Sequence, residues 1–194
     1  MKYPLLFKHL EKNLRLSEPK WLEMENLFIL KKINKGETFI NPGDAVLNFG
    51  FVLKGLFKLS YINNQNEENI KAFRSECQLV TAYAEYIQKI PSRTQIMAIE
   101  ETEIAMISFQ AFEKLILEKP EWLKLKLKIT EEHFIIKDRR EHDFLIKSAI
   151  ERYEEFKNEN PALAERVPQY LIANYLGITP VALSRLLSPK NYQR

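Results

Sequence analysis

Val167 to Leu187 reads VPQYLIANYLGITPVALSRLL, and the fold of the chain turns on how this stretch is read. Starting at Gln169, apolar side chains recur at Ile172, Leu176, Ile178, Leu183 and Leu186, the spacing of a helix face on either side of an interruption. Ala173 is small where two helices would cross closely, and Gly177 can take the positive φ that a sharp turn requires. Pro168 suits a first helical turn, where its missing N–H has no partner to lose. Thr179 and Pro180 repeat the device as N-cap and first residue of a second helix. The pattern is that of a helix-turn-helix. The alternative is a plain helical hairpin closing a core, and the rest of the chain has to decide between them.

Charge favours the first reading. The formal net charge of +3 is too small for overall basicity to carry meaning, but its distribution is uneven. After Glu165 the chain holds Arg166, Arg185, Lys190 and Arg194 and no carboxylate. The helix pair therefore sits in a one-sided positive field, which attraction to a phosphate backbone requires.

With 194 residues, 45% of them hydrophobic and 28% charged, the chain can form one or two domains with a proper core, and disorder is not expected. No run approaches the roughly 18 apolar residues of a membrane span. The opening MKYPLLFKHLEKNL lacks the apolar region and small-residue cleavage site of a secretory leader, so the expected location is cytoplasmic. Cys77 is the single cysteine, which rules out an internal disulfide and a cysteine cluster for zinc or iron–sulfur binding. It is expected to be a small core side chain.

Working outward from the helix pair, residues 3–15 and 17–27 have helical periodicity, the second with Ser17 as N-cap. From Phe28 the pattern becomes short apolar runs broken by NKGE, NPGD and NNQNEEN, as in antiparallel strands joined by tight turns. Four of the five glycines, Gly36, Gly43, Gly50 and Gly55, fall in this region and mark turns rather than a phosphate loop. Residues 74–94 interrupt the strands with a short helix in a loop, and IMAIEE and EIAMIS resume them. About eight strands without crossover helices suggest a barrel or jelly roll. A short helix follows over 109–118.

Pro120 opens a long helix with two apolar faces, Leu123, Leu127 and Phe134 on one, and Leu125, Ile129, Ile136 and Phe144 on the other. One face is expected on the barrel and the other on a second copy of the chain. Another helix begins at Ser148 and ends near NENP. The expected fold is thus α+β, with a β-barrel over 1–119, a long dimerisation helix over 120–147 and a helix-turn-helix domain over 148–194.

That order of parts resembles the Crp/Fnr family of transcription regulators, with a cyclic-nucleotide-binding-type barrel joined by a dimerisation helix to a helix-turn-helix domain. The resemblance is carried by SAIERYEEF and NPALAERVPQYLIANYLGITPVALSRLL, which look like the sub-branch with a short wing. NPGD, FVLKGLFKLSY and AIEETEIAMIS support it in the barrel. It implies double-stranded DNA, a second copy of the chain and RNA polymerase as partners, and a small anionic effector in the barrel. If so, the second helix enters the major groove. Arg185 is the best base reader, Val181 can touch a thymine methyl, Ser184 and Ser188 face outward, and Gln169, Tyr170, Thr179 and Lys190 suit phosphates. Many relatives place polar readers where this chain has Pro180 and Val181, so the family's usual half-site does not carry over.

The family's cyclic-nucleotide cassette pairs a Gly-Glu with an Arg followed by a small hydroxylated residue. Here Glu76 has no glycine before it, and Arg93 and Thr94 lie about one residue out of register. Lys137 and Asp138 occupy the positions that would read the purine, so cyclic AMP is not the expected ligand. The candidate effector pocket comprises Glu76, Tyr83, Tyr86, Arg93, Thr94, Lys137 and Arg140. No cofactor is required, and haem ligation by His133 or His142 competes with an ordinary charged-helix role.

Two other classes stand beside this reading. A metal-dependent cupin enzyme draws histidines from barrel strands, but none of His9, His133 and His142 falls between residues 10 and 132, and no GxSxG elbow is present. No catalytic or metal residue is therefore assigned. The other class is a ligand-binding or interaction module whose helix-turn-helix has lost DNA.

Overall fold

The computed structural model describes residues 1–188. Two helices, α1 (Pro4–Leu14) and α2 (Glu18–Glu25), precede eight strands: β1 (Ile29–Ile33), β2 (Thr38–Ile40), β3 (Asn48–Lys54), β4 (Phe57–Ile62), β5 (Glu68–Arg74), β6 (Leu79–Val80), β7 (Thr94–Ala98) and β8 (Thr102–Ser108). Helix α3 (Tyr83–Gln88) lies between β6 and β7. The strands form two antiparallel four-stranded sheets, ordered β1-β8-β3-β6 and β2-β7-β4-β5. Phe49, Phe51, Val52 and Ile104 of the first sheet share one core with Phe57, Leu59 and Ile96 of the second. This is the barrel expected from the apolar alternation.

The β3–β4 turn needs Gly55. Its φ is +101°, and a Cβ there would lie 2.4 Å from Thr102 Oγ1 and 2.6 Å from the Glu101 carbonyl oxygen. Helices α1 and α2 cover one end through Leu6, Leu10, Trp21 and Met24, and the buried Glu25 carboxylate accepts from Trp21 Nε1 at 3.0 Å and from the Tyr3 amide at 3.0 Å. Cys77 is half-buried against the same core.

Helix α4 (Phe109–Glu118) is capped by Ser108, whose side chain accepts from the Ala111 amide. The long α5 (Trp122–Ile146) runs unbroken for 25 residues, about 37 Å at the helical rise. Its Trp122 and Leu125 are buried and Ile129 packs on the barrel core. Leu123, Leu127 and Phe134 are exposed, as expected for the second face. Ile136 is exposed too, although its spacing grouped it with the barrel face, because beyond His133 the helix no longer packs on the main core.

Helix α6 (Ala149–Glu159) opens with a full capping box, Ser148 accepting from the Glu151 amide and Glu151 from the Ser148 amide. A short α7 (Pro161–Arg166), not foreseen in the sequence, leads to α8 (Gln169–Tyr175) and α9 (Pro180–Leu186). These helices share a second core in which Phe156, Leu171, Ile172, Leu176 and Leu183 meet Leu56, Ile70 and Phe73 of the barrel. Strand β5 can serve both cores because its pairing with β4 slips by one residue at Lys71, where Ser60 opposes Ile70 and Leu59 opposes Ala72. That bulge puts Ile70 and Phe73, three residues apart, on the face toward the terminal helices, while Ala72 packs on the main core.

Candidate nucleic-acid interface and effector cavity

The turn between α8 and α9 is closed by two backbone bonds, Ile178 N–H to the Ala173 carbonyl and Gly177 N–H to the Asn174 carbonyl, both 3.0 Å. This is a Schellman closure, with Gly177 at φ +73° in the left-handed position that it demands. A Cβ on Gly177 would also come 2.9 Å from Phe144 Cε1. The Thr179 hydroxyl then caps α9 by accepting from the Ala182 amide at 3.1 Å. Leu183 is 1% exposed and Ala173 0%, so the two helices cross where the sequence placed its smallest and most apolar groups.

Burial of Leu183 fixes the opposite face of α9. Thr179, Pro180, Val181, Ser184 and Arg185 are exposed, and Gln169 and Tyr170 are exposed at the start of α8. Ser188 is half-buried and its hydroxyl donates to the Arg185 carbonyl at 2.8 Å. Lys190 lies outside the described residues.

Three arginines hold this unit in place. Arg140 of α5 donates to the Tyr175 carbonyl at 2.9 Å and lies 3.9 Å from the Tyr175 ring, and Arg152 of α6 donates to the Leu176 carbonyl at 2.9 Å. Together they cap the C-terminal carbonyls of α8 with positive charge. Arg166 donates to both carboxylate oxygens of Glu100 (3.0 and 2.7 Å), to both of Glu76 (3.0 and 2.8 Å) and to the Gly55 carbonyl (3.1 Å). Its guanidinium is held above its ordinary pKa by Glu100 first and Glu76 second. Burial pushes the Glu76 carboxyl up, but bonds from Arg166 and from backbone N–H groups, Gly55 among them, outweigh it and hold the group low. Asn174 adds a sheet-like contact, accepting from the Ile70 amide at 2.7 Å and donating to the Glu68 carbonyl at 2.6 Å along the edge of β5. Arg166 was counted in the sequence toward the positive field of the tail, but its charge is met by Glu76 and Glu100; Asn174 and Arg152 were not singled out, because each acts on a partner remote in the chain.

The proposed effector residues do not form one cluster. Glu76 and Arg140 face the terminal helices, as just described. Arg93 and Thr94 do lie together, but a buried carboxylate occupies them: Glu85, 1% exposed, accepts from Thr94 Oγ1 at 3.1 Å and sits 3.6 Å from Arg93 Nε. An internal anion thus stands where the family's phosphate would be held. The pair does not fit a cyclic phosphate unless Glu85 is displaced. Tyr86 stacks on Phe109 at 3.6 Å between centroids and donates to Glu113. Burial first, then the Glu113 carboxylate, raises the Tyr86 phenol. Tyr83 and Lys137 do share a cavity of about 260 Å³ between α5 and the barrel. Its lining also includes His133, weighed in the sequence only as a haem ligand, and Arg74, passed over there because the stretch around it broke the strand rhythm.

Residues 30–119 match the family model described as Cyclic nucleotide-binding domain. FixK2 from Bradyrhizobium japonicum superposes with a TM-score of 0.69 at 19% identity, over 86% of this chain and 85% of that one. The fold is that of the Crp/Fnr regulators. CLP, described as a c-di-GMP responsive global regulator of Xanthomonas campestris, gives a TM-score of 0.73 at 14% identity over 91% and 92% of the two chains. A CooA mutant from Carboxydothermus hydrogenoformans gives 0.66 at 20% identity over 92% and 81%. No curated protein sequence matches the chain. Among the described residues, no helix is long and apolar enough to cross a membrane, and no group of three or more His, Cys, Asp or Glu is placed to hold a metal ion.

Proposed function

We propose that the chain is a Crp/Fnr-type transcription regulator that reads duplex DNA as a homodimer. The observation that carries this reading is the pre-formed helix pair whose second member keeps its outward face in solvent while its inner face is locked by Leu183, Gly177 and the Thr179 cap. Thr179, Val181, Ser184 and Arg185 share that exposed surface, which a groove-reading helix requires. Helix α9 enters the major groove with Arg185 on base edges, and Gln169, Tyr170, Thr179, Ser184 and Lys190 position the unit on phosphates.

The exposed apolar side chains of α5, among them Leu123, Leu127 and Phe134, form the seam with the same helix of a second copy. The division of labour is sensor over 1–119, dimer helix over 120–147 and reading head over 148–194. The barrel senses a small anion rather than cyclic AMP, since Glu85 already occupies Arg93 and Thr94. Two heads related by a two-fold axis require half-sites about one helical turn apart, roughly 34 Å, and hence a near-palindromic operator. Recovery of genomic fragments on the purified protein tests the reading. An enriched palindrome is expected, and the absence of any enriched sequence, with and without cell extract supplying an effector, would leave the helix pair as an interaction module.

A further inference from the structure

The cavity between α5 and the barrel has an apolar body and a cationic end. Phe49, Phe51, Leu59, Phe109, Phe112 and Leu125 line the body. Lys71, Arg74, His133 and Lys137 also line it, and the charges of Arg74 and Lys137 both act on His133, which places these three side chains together. The lining carboxylate, Glu113, is already engaged by the Tyr86 hydroxyl and lies 3.9 Å from Lys126.

The cationic groups at that end have neutral partners. Arg74 donates from Nε to the Leu79 carbonyl at 3.1 Å and from Nη1 to the Phe73 carbonyl at 2.8 Å, and no carboxylate pairs with it among the described residues. Lys71 donates to Tyr61 Oη at 3.0 Å and Thr94 Oγ1 at 3.1 Å. His133 donates Nδ1–H to the Ile129 carbonyl at 3.0 Å, and burial together with the Arg74 and Lys137 charges holds its pKa below the ordinary value, so it stands neutral beside them. Gathering cations at the edge of an apolar space costs free energy unless an anion joins them. The internal carboxylate beside Arg93, Glu85, holds Arg93 and Thr94 through Oε1 and does not line this cavity.

We infer that this cavity binds an organic carboxylate with an apolar body, of the fatty-acid or aryl-alkanoate class. The carboxylate sits between Arg74 and Lys137, and the hydrocarbon lies against the phenylalanines. A nucleotide suits the space less well, since its ribose hydroxyls and base edges would face aromatic and aliphatic walls with few hydrogen-bonding groups. The inference rests on the reading of the barrel as the sensor, and it places the sensed anion on Arg74 and Lys137, which also line the adjoining space against Phe73, Phe156 and Tyr175.

Calorimetry of the full chain without DNA, titrated with decanoate, decanol, decylamine and cyclic AMP, tests it. Decanoate is expected to bind, and decanol at least tenfold more weakly, since a charge-assisted bond is worth roughly a factor of ten or more. Lys137→Gln, at an exposed position that tolerates the change, and Arg74→Gln should each lower decanoate affinity about tenfold while leaving decanol unchanged. Equal affinity for decanol and decanoate, preference for decylamine or cyclic AMP, or full retention of decanoate binding in Lys137→Gln overturns the inference. Because the titration contains no DNA, its failure leaves the DNA reading standing. Failure of the fragment selection likewise leaves decanoate binding measurable.

Discussion

Replacing Arg166 by methionine removes the charge of the clamp between α7 and the barrel and keeps most of the stem packing. One guanidinium serves two carboxylates and a carbonyl at 2.7–3.1 Å, while the side chains of Arg166, Glu76 and Glu100 remain 30, 40 and 35% exposed. A charge-assisted bond nets about 1.5–3 kcal/mol when desolvated, and an exposed ion pair about 0.2–1 kcal/mol. Two bidentate pairs at this depth should therefore contribute about 2 kcal/mol in all, including the repulsion left between Glu76 and Glu100. That is roughly 4–8 °C of melting temperature for a chain of this size. The Asn174 bridge and the Phe73, Phe156 and Tyr175 ring cluster remain, so the loss should fall first on docking of the terminal helices. Hydrogen exchange is the direct assay. Amides of α8, and the Ile70 amide held by Asn174, should exchange about thirtyfold faster if they open by undocking. A variant melting within about 1 °C of the parent, with unchanged protection at α8, would show that the clamp contributes nothing and that the aromatic cluster alone holds the head.

Gly177→Ala should cost about 1–2 kcal/mol in backbone strain, with displacement of the Phe144 ring added. Gly36→Ala, at φ +85° with nothing within 4 Å of the new Cβ, should cost the strain alone, and denaturant unfolding of the two variants separates the terms. Arg185→Ala should lose about 1–3 kcal/mol of discrimination between the selected duplex and a scrambled one, measured by anisotropy. Glu76 is held below its ordinary 4.5 in the folded chain, so its contribution is complete above that pH and is lost as pH falls through the lower folded value. Docking read by hydrogen exchange should thus weaken below about pH 4.5 and be flat from pH 6 to 8, and Glu76→Gln should flatten the acid limb.

The strands and the helix pair were legible because their signals are local. NKGE and NPGD mark turns, Ser148 and Thr179 cap helices, and Gly177 takes the left-handed position that its place in the pattern demanded. Helix α7 was not legible, since six residues after NENP carry too little periodicity and the Asn-Pro step reads equally well as a boundary. Contact between the head and the barrel was hidden for another reason. The bulge at Lys71 breaks the alternation that would have shown Ile70 and Phe73 on one face, and Arg166 lies 90 residues from Glu76 in the chain. In the barrel, Arg93 and Thr94 looked like a phosphate pair because nothing in the sequence told that Glu85, on the preceding α3, would occupy them. Arg74 and His133 gave no motif at all, and only the packing of α5 against β5 brings them to one cavity.

The exposed face of α9 is the centre of the account, and salt tests it most directly. Anisotropy titrations of a selected duplex between about 50 and 200 mM salt measure how many phosphates the protein neutralises. If two heads grip the backbone, with Arg185, Lys190 and Arg194 supplying the charge that neutralises about four to six phosphates, affinity should fall by roughly a hundred- to a thousandfold over that range, linearly on logarithmic axes. An affinity that barely changes with salt would contradict a phosphate-gripping, DNA-reading head.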